Sequence, residues 1–389
     1  MLEDFTMQKL VLLYWGTIFL MYLSEVNYPC DKRVLGCQIG KRHFLRRKSD
    51  VFMVIVIAWM TCFSFLRTSY NDTAIYIMSF RNAQSIAEGI ANGSFTDWTG
   101  NPWSVLYRSI IRELTDNYHI YFFFPALLSS FAIVKLCKRY SVNPSLSLTI
   151  FFSLGTYTMY IAALKQSIAI FFLLWAIPYA VEKKYVKFYV LLLMAVMFHA
   201  HAFMFAIVPL LFDKPWGRKT WILLAATLFA MATYHSTFGK FMTYAQSIGL
   251  LVAEIELFDN HSINILRVMV YWVPALMALF FRERLFYNST RTENLFVNMS
   301  IVSAFILTIG LVQGANLYAR MAAYFEVATI IALPWMINGV FNNRSAKFVS
   351  TSAYILYFIY FFYENAINRG FEYDYNAITL WQFIQSLFG

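Results

Sequence analysis

The chain has 389 residues, of which 60% are hydrophobic and 19% aromatic, and only 13% carry charge. Soluble domains are about one quarter charged and under one half apolar, so this composition excludes an ordinary water-exposed enzyme or binding module. The formal charge of +10 needs no nucleic-acid partner, because the basic residues are spread over alternate connections between apolar stretches.

A spanning helix needs roughly 20 apolar residues, or somewhat fewer when Lys, Arg, Trp and Tyr anchor its ends. In chain order such stretches run from Met7 to Leu23, Val51 to Leu66, Tyr118 to Val134, Leu146 to Ala163, Ser167 to Val181 and Val186 to Phe198. The second half adds Ala202 to Phe212, Thr220 to Tyr234, Leu266 to Phe281, Leu295 to Val312, Tyr318 to Ile337 and Phe348 to Tyr363. The pattern predicts an all-α polytopic membrane protein of about twelve transmembrane helices forming one domain over residues 1–389. The opening Met-Leu-Glu-Asp lacks a basic n-region, so the first span reads as a retained helix.

Cationic connections stay in the cytoplasm. They comprise the Lys32–Lys48 stretch, Lys135 to Arg139, Lys183 to Lys187, Lys214 to Lys219, Arg282 to Arg291, and Arg344 with Lys347, together 21 of the 31 basic residues. Both termini are therefore expected outside, and anionic inner-leaflet lipid would attract the basic side. Cys30, Cys37 and Cys137 fall on the cytoplasmic side and Cys62 in a span, which implies no disulfide framework.

Three outer segments are long: 67–117 after the second span, 235–265, and 364–389. In the first, Ala74 to Ile90 has helical apolar spacing, while Trp98, Trp103 and Tyr107 suit the membrane interface, as do Tyr373, Tyr375, Trp381 and Phe383 in the last. A large structured outer loop points to a substrate handled on that face.

Charged groups at or inside spans mark functional sites by default. Arg67 ends span two and is followed by Asp72 and Tyr76; Lys165 and Gln166 occupy the outer turn between spans four and five. His199 and His201 occupy the next outer turn, Arg267 opens span nine, and Arg320 lies one helical turn from Tyr324 in span eleven. Structural roles compete: Arg267 and Lys165 as snorkelling anchors, Asp72 as a helix cap, the histidines as interfacial residues. Glu326 reads as a buried pair or cavity residue. A helix would point His199 and His201 roughly 200° apart, against the i, i+4 spacing of a zinc helix. With no Asp-x-Asp pair and no nucleotide loop, no metal or cofactor is expected. Arginine offers planar bidentate donors to pyrophosphate, and a carboxylate or imidazole can take a hydroxyl proton; together these fit transfer from a lipid diphosphate.

Five motifs carry a resemblance. Arg67 with Asp72 and Tyr76 is similar to an Arg...Gly-x-Asp...Tyr segment, with Asn71 where Gly is usual; Asn101-Pro102-Trp103 with Asn117 to Phe123 is similar to Glu-Pro...Asn...Phe. Ala163 to Ala169 resembles Leu-Arg-Gln-x-Ile-Ala with Lys165 in place of Arg, Phe198 to Ala202 resembles Phe-His-x-Ser-Ala, and Tyr318-x-Arg320...Tyr324-Phe325 resembles a late Arg...Tyr-Phe motif. The chain thus resembles, over roughly Met1 to Tyr363, the EpsG-like branch of Wzy-type bacterial polysaccharide polymerases.

That resemblance implies a GT-C-like membrane glycosyltransferase of the bacterial cytoplasmic membrane, working on its outer, periplasmic face. It would move a growing glycan from undecaprenyl diphosphate onto a lipid-linked oligosaccharide repeat unit of O-antigen, capsule or exopolysaccharide, with a flippase and a chain-length regulator as partners. Asp72 or His199 would be catalytic, Arg67, Arg320 and Lys165 would hold diphosphate, and Tyr76, Gln166, His201, Arg267 and Tyr324 would position substrate. The rivals are a lipid-linked oligosaccharide flippase and a membrane O-acyltransferase. A transporter should break its spans around a midplane site, and the sequence shows no paired Gly- or Pro-interrupted spans.

Overall fold

The computed structural model describes residues 2–28, 50–97, 100–247, 261–368 and 374–388. Cys30, Cys37, the Lys32–Lys48 stretch, Trp98, Tyr373 and much of the 235–265 segment lie outside the described residues. The described residues are almost entirely helical and divide into two compact units, Met1–Leu174 with Thr351–Gly389, and Trp175–Ser350.

All twelve predicted segments contain helix, but fewer helices can cross a bilayer unaided. Among the described residues four are long and apolar enough: Thr6–Asn27, Tyr118–Tyr140, Leu164–Val181 and Arg291–Ile309. Three further pairs would each make one span, bringing the number to seven. They are Pro144–Ser153 with Thr156–Ala162, bent by 57°, Arg218–Ala232 with Tyr234–Ala245, bent by 78°, and Ala315–Glu326 with Thr329–Val340, bent by 55°. Sharp bends thus break three apolar stretches where the sequence reading expected no interrupted spans. Val51–Phe65, Tyr185–Phe198, Ala200–Leu210 and Ile265–Phe280 are apolar but shorter.

In the first unit Val51–Phe65 packs on both Leu2–Asn27 and Tyr118–Tyr140. Asp50 starts it by accepting from Met53 N at 3.0 Å, and Lys138 of the neighbouring helix pairs with the same carboxylate at 3.0 Å. The outer segment after it folds as Thr73–Arg81, Ile86–Ala91 and Pro102–Leu114. Ser85 with Glu88 closes a capping box on the second of these, and Pro102 opens the third from N1, where its missing N–H costs nothing. Phe80 and Ile111 of this segment join Phe65, Leu66, Tyr121, Phe122 and Leu164 in one buried cluster.

A two-stranded antiparallel ribbon completes this unit. β1 (Arg67–Ser69) pairs with β2 (Asn376–Ala377), placing Arg67 opposite Ala377. Ile378 N donates to Leu66 O at 3.0 Å, Ser69 Oγ donates to Asp374 O at 2.8 Å, and Tyr375 stacks on Phe63 with its hydroxyl on Phe63 O at 2.6 Å.

In the second unit Arg291–Ile309 is the axis, buried almost throughout and packed by Arg218–Ala232, Ile265–Phe280, Ala315–Glu326 and Thr329–Val340. Glu326 sits beside the break of the last pair and accepts from Tyr271 Oη at 2.6 Å. Two glycines make the turn into Ala315–Glu326. A Cβ on Gly310 would collide with Ile263 and Tyr318, and Gly314 has φ +77, which costs glycine little.

Candidate functional site

In the first unit the residues predicted from sequence converge on a break between helices. Helix Thr156–Ala162 ends and Leu164–Val181 begins with Ala163 between them, so carbonyls on one side and amides on the other lose their intrahelical partners. Arg67 and Tyr76 reach this break from the outer segment. Arg67 Nη2 donates to Ile161 O at 3.0 Å, and the Tyr76 hydroxyl accepts from Leu164 N at 3.2 Å. The next two residues are Lys165, half-buried, and Gln166, buried.

Arg67 itself has 0% of its surface exposed. Its Nε donates to Thr73 Oγ1 at 3.0 Å, its Nη1 donates to Ser64 O, and the guanidinium lies 4.1 Å from the centre of the Phe122 ring. Burial pulls its pKa down to about 10, which leaves it cationic at neutral pH, while the three acceptors and the ring face replace lost hydration. Thr73, Phe122 and the Ile161 carbonyl thus hold Arg67, and no periodicity in the sequence singles them out. Asn71, at the position where Gly is usual, has φ +44, a left-handed conformation that Asn tolerates better than most residues. Asp72 takes the N-cap position of Thr73–Arg81, but its side chain makes no capping bond.

In the second unit His199 links Tyr185–Phe198 to the 3-10 helix Ala200–Leu210 in an extended conformation, φ −153. The helical projection that separated His199 from His201 therefore does not hold; their rings lie 5.1 Å apart. His199 Nδ1 shares a 2.6 Å hydrogen bond with Tyr324 Oη. Arg320, half-buried one turn earlier on the same helix, lies within electrostatic reach of both Tyr324 and His201. His201 is 1% exposed, and neither ring nitrogen has a hydrogen-bond partner among the described residues. Arg267 lies in the first turn of Ile265–Phe280, half-buried.

A model of the EpsG family matches residues 50–377, well over half of the chain and a span that contains the five segments given above. The chain belongs to the EpsG family. This member is accordingly a multi-pass membrane protein of polysaccharide biosynthesis, from a family that is generally glycosyltransferase-like. No curated protein and no solved structure matches it.

Proposed function

We propose that this EpsG-family protein is a repeat-unit polymerase of the bacterial cytoplasmic membrane. It transfers a growing glycan from undecaprenyl diphosphate to the terminal sugar of a lipid-linked oligosaccharide at the outer face. The observation that carries the reading is the 2.6 Å bond between His199 Nδ1 and Tyr324 Oη, with Arg320 one turn away, all three inside the span that the EpsG family model matches. If Nδ1–H donates to Tyr324, the ring is held in the tautomer whose Nε2 takes the acceptor hydroxyl proton, the same logic by which an orienting group serves a histidine base. Arg320 holds the diphosphate and stabilises the charge that develops as the anomeric C–O bond breaks. Diphosphate leaves as an anion without needing a proton.

His201, buried beside this group with both nitrogens unpartnered among the described residues, is placed to take a polar group of the substrate. In the first unit Arg67 and Tyr76 act as positioning residues, since each makes one hydrogen bond to the break before Lys165 and Gln166 and Arg67 spends its other donors on Thr73 and Ser64. Lys165 is then the diphosphate contact of that unit. Asp72 is the alternative base, its carboxylate not committed to the cap. The chemistry assigns no role to a metal, and elongation by purified protein in excess chelator tests that. Activity lost to chelator and restored by a divalent ion would reject it.

The three bent helix pairs favour a second reading, a lipid-linked oligosaccharide transporter. Deletion of the protein separates the two. Loss of a polymerase leaves single repeat units capping the surface glycan, whereas loss of a flippase leaves none.

A further inference from the structure

At the end of the Ala200–Leu210 helix remote from His201, the second unit holds a cavity of about 210 Å³. At the 3-10 rise of about 2 Å per residue, the 11 residues of that helix separate the two by about 20 Å. Its lining combines the apolar Leu223, Ile301 and Val302 with the cationic Lys214, Arg218 and Lys219. Asn298 fixes the loop that carries these cations, donating to Leu211 O at 2.8 Å and Asp213 O at 2.7 Å. Lys219 is neutralised by Asp213 at 2.6 Å, while Lys214 and Arg218 make no ion pair among the described residues. The flank leaves apolar side chains uncovered, Leu210 being 61% and Ile222 57% exposed. Trp221, 47% exposed on the same helix as Arg218 and Lys219, is of the residue type enriched where bilayer meets water, and it packs 5.2 Å from the buried Trp216.

We propose that this cavity binds an anionic phospholipid, one acyl chain against Leu223, Ile301 and Val302 and the phosphate between Lys214 and Arg218. Each half of the site excludes a different rival. Apolar lining without charge would accept any lipid tail or detergent, and cations without the apolar lining would accept any soluble anion. Two cations without an ion pair among the described residues, in a lining that is otherwise largely apolar, match a ligand that is itself apolar at one end and anionic at the other. The assignment does not depend on the polymerase reading, since none of these residues belongs to the His199 group.

The test uses the full-length protein, purified in detergent and stripped of lipid, with bound lipid counted by native mass spectrometry and the unfolding midpoint followed by tryptophan fluorescence. Phosphatidylglycerol should bind and raise the midpoint more than phosphatidylcholine does. The double variant Lys214→Gln with Arg218→Gln should bind phosphatidylglycerol about thirtyfold more weakly, from roughly 1 kcal/mol per cation. Lys214→Arg with Arg218→Lys should bind as the parent. If the double variant fails to fold, each single Gln variant should still lose about fivefold. Equal affinity for the two lipids, unchanged phosphatidylglycerol binding in the Gln variants, or a midpoint shift reproduced by inorganic phosphate alone would each overturn the proposal.

Discussion

Arg67 follows a helix end, His199 links two helices and Arg320 lies in mid-helix, and their surroundings set different tasks for them. For Arg67, lysine is a point charge and cannot serve Thr73 Oγ1, Ser64 O and Ile161 O together. Arg67→Lys should therefore cost about 2–5 kcal/mol of stability by stranding buried acceptors, read as a lower unfolding midpoint and lower yield from membranes. Normal stability with activity lost would instead make Arg67 a direct substrate contact. For Arg320 the expectation reverses. Arg320→Lys should leave folding intact yet lower turnover nearly as far as Arg320→Ala, because the bidentate fork is lost. His199→Ala should lower turnover by about 100- to 10,000-fold, the range for a positioned general base. Tyr324→Phe should lose about tenfold or more by freeing the ring, and it should add little once His199 is gone. Steady-state elongation rates of the single and double variants, measured at several pH values, check this. A loss under about threefold in His199→Ala would return the base to Asp72.

At the scale of elements, the left-handed turn before Thr73–Arg81 makes a separate prediction. With φ +44 at Asn71, Asn71→Gly should be neutral or slightly stabilising, whereas Asn71→Val should cost about 1–2 kcal/mol in thermal unfolding. This turn was legible in the sequence, because an Asn standing where Gly is usual names the conformation both residues share. Helix-forming segments were equally legible from their apolar runs, but Ala74 to Ile90, read as one helically spaced stretch, folds as two helices, with Ser85 and Glu88 capping the second. The breaks in the spans were not. Gly155, at φ +76, sits inside an apolar run that reads as continuous, and nothing around Val327 announces a bend, whereas the bend at Thr233 falls where the apolar run was read to end. The strand pair was hidden for a different reason. Two or three residues are too few to show alternation, so only Tyr375 and Phe383 hinted that the final segment is ordered. At the site, sequence singled out the charged residues but could not tell Arg67, enclosed by oxygen acceptors, from Arg320, half-buried in mid-helix near Tyr324 and His201.

At the scale of the whole molecule, the charge asymmetry of the connections predicts sidedness. Single cysteines placed near Lys184 should resist an impermeant reagent in intact cells, and those near Asn92 should react. The opposite pattern would invert the topology and move the His199 group to the cytoplasm. The ribbon of β1 with β2 also sets an order of manufacture. Ser69 finds its partner at Asp374 only after 305 further residues have been translated, a wait of about 15 to 60 s at bacterial or slower rates. Throughout that interval the strand beside Arg67 is an unpaired edge at the membrane surface, open to mispairing. A ribosome that stalls late, or a frameshift after Tyr363, would thus release a chain whose membrane helices are all present but whose Arg67 strand stays unclosed, and quality-control proteases would meet it there first.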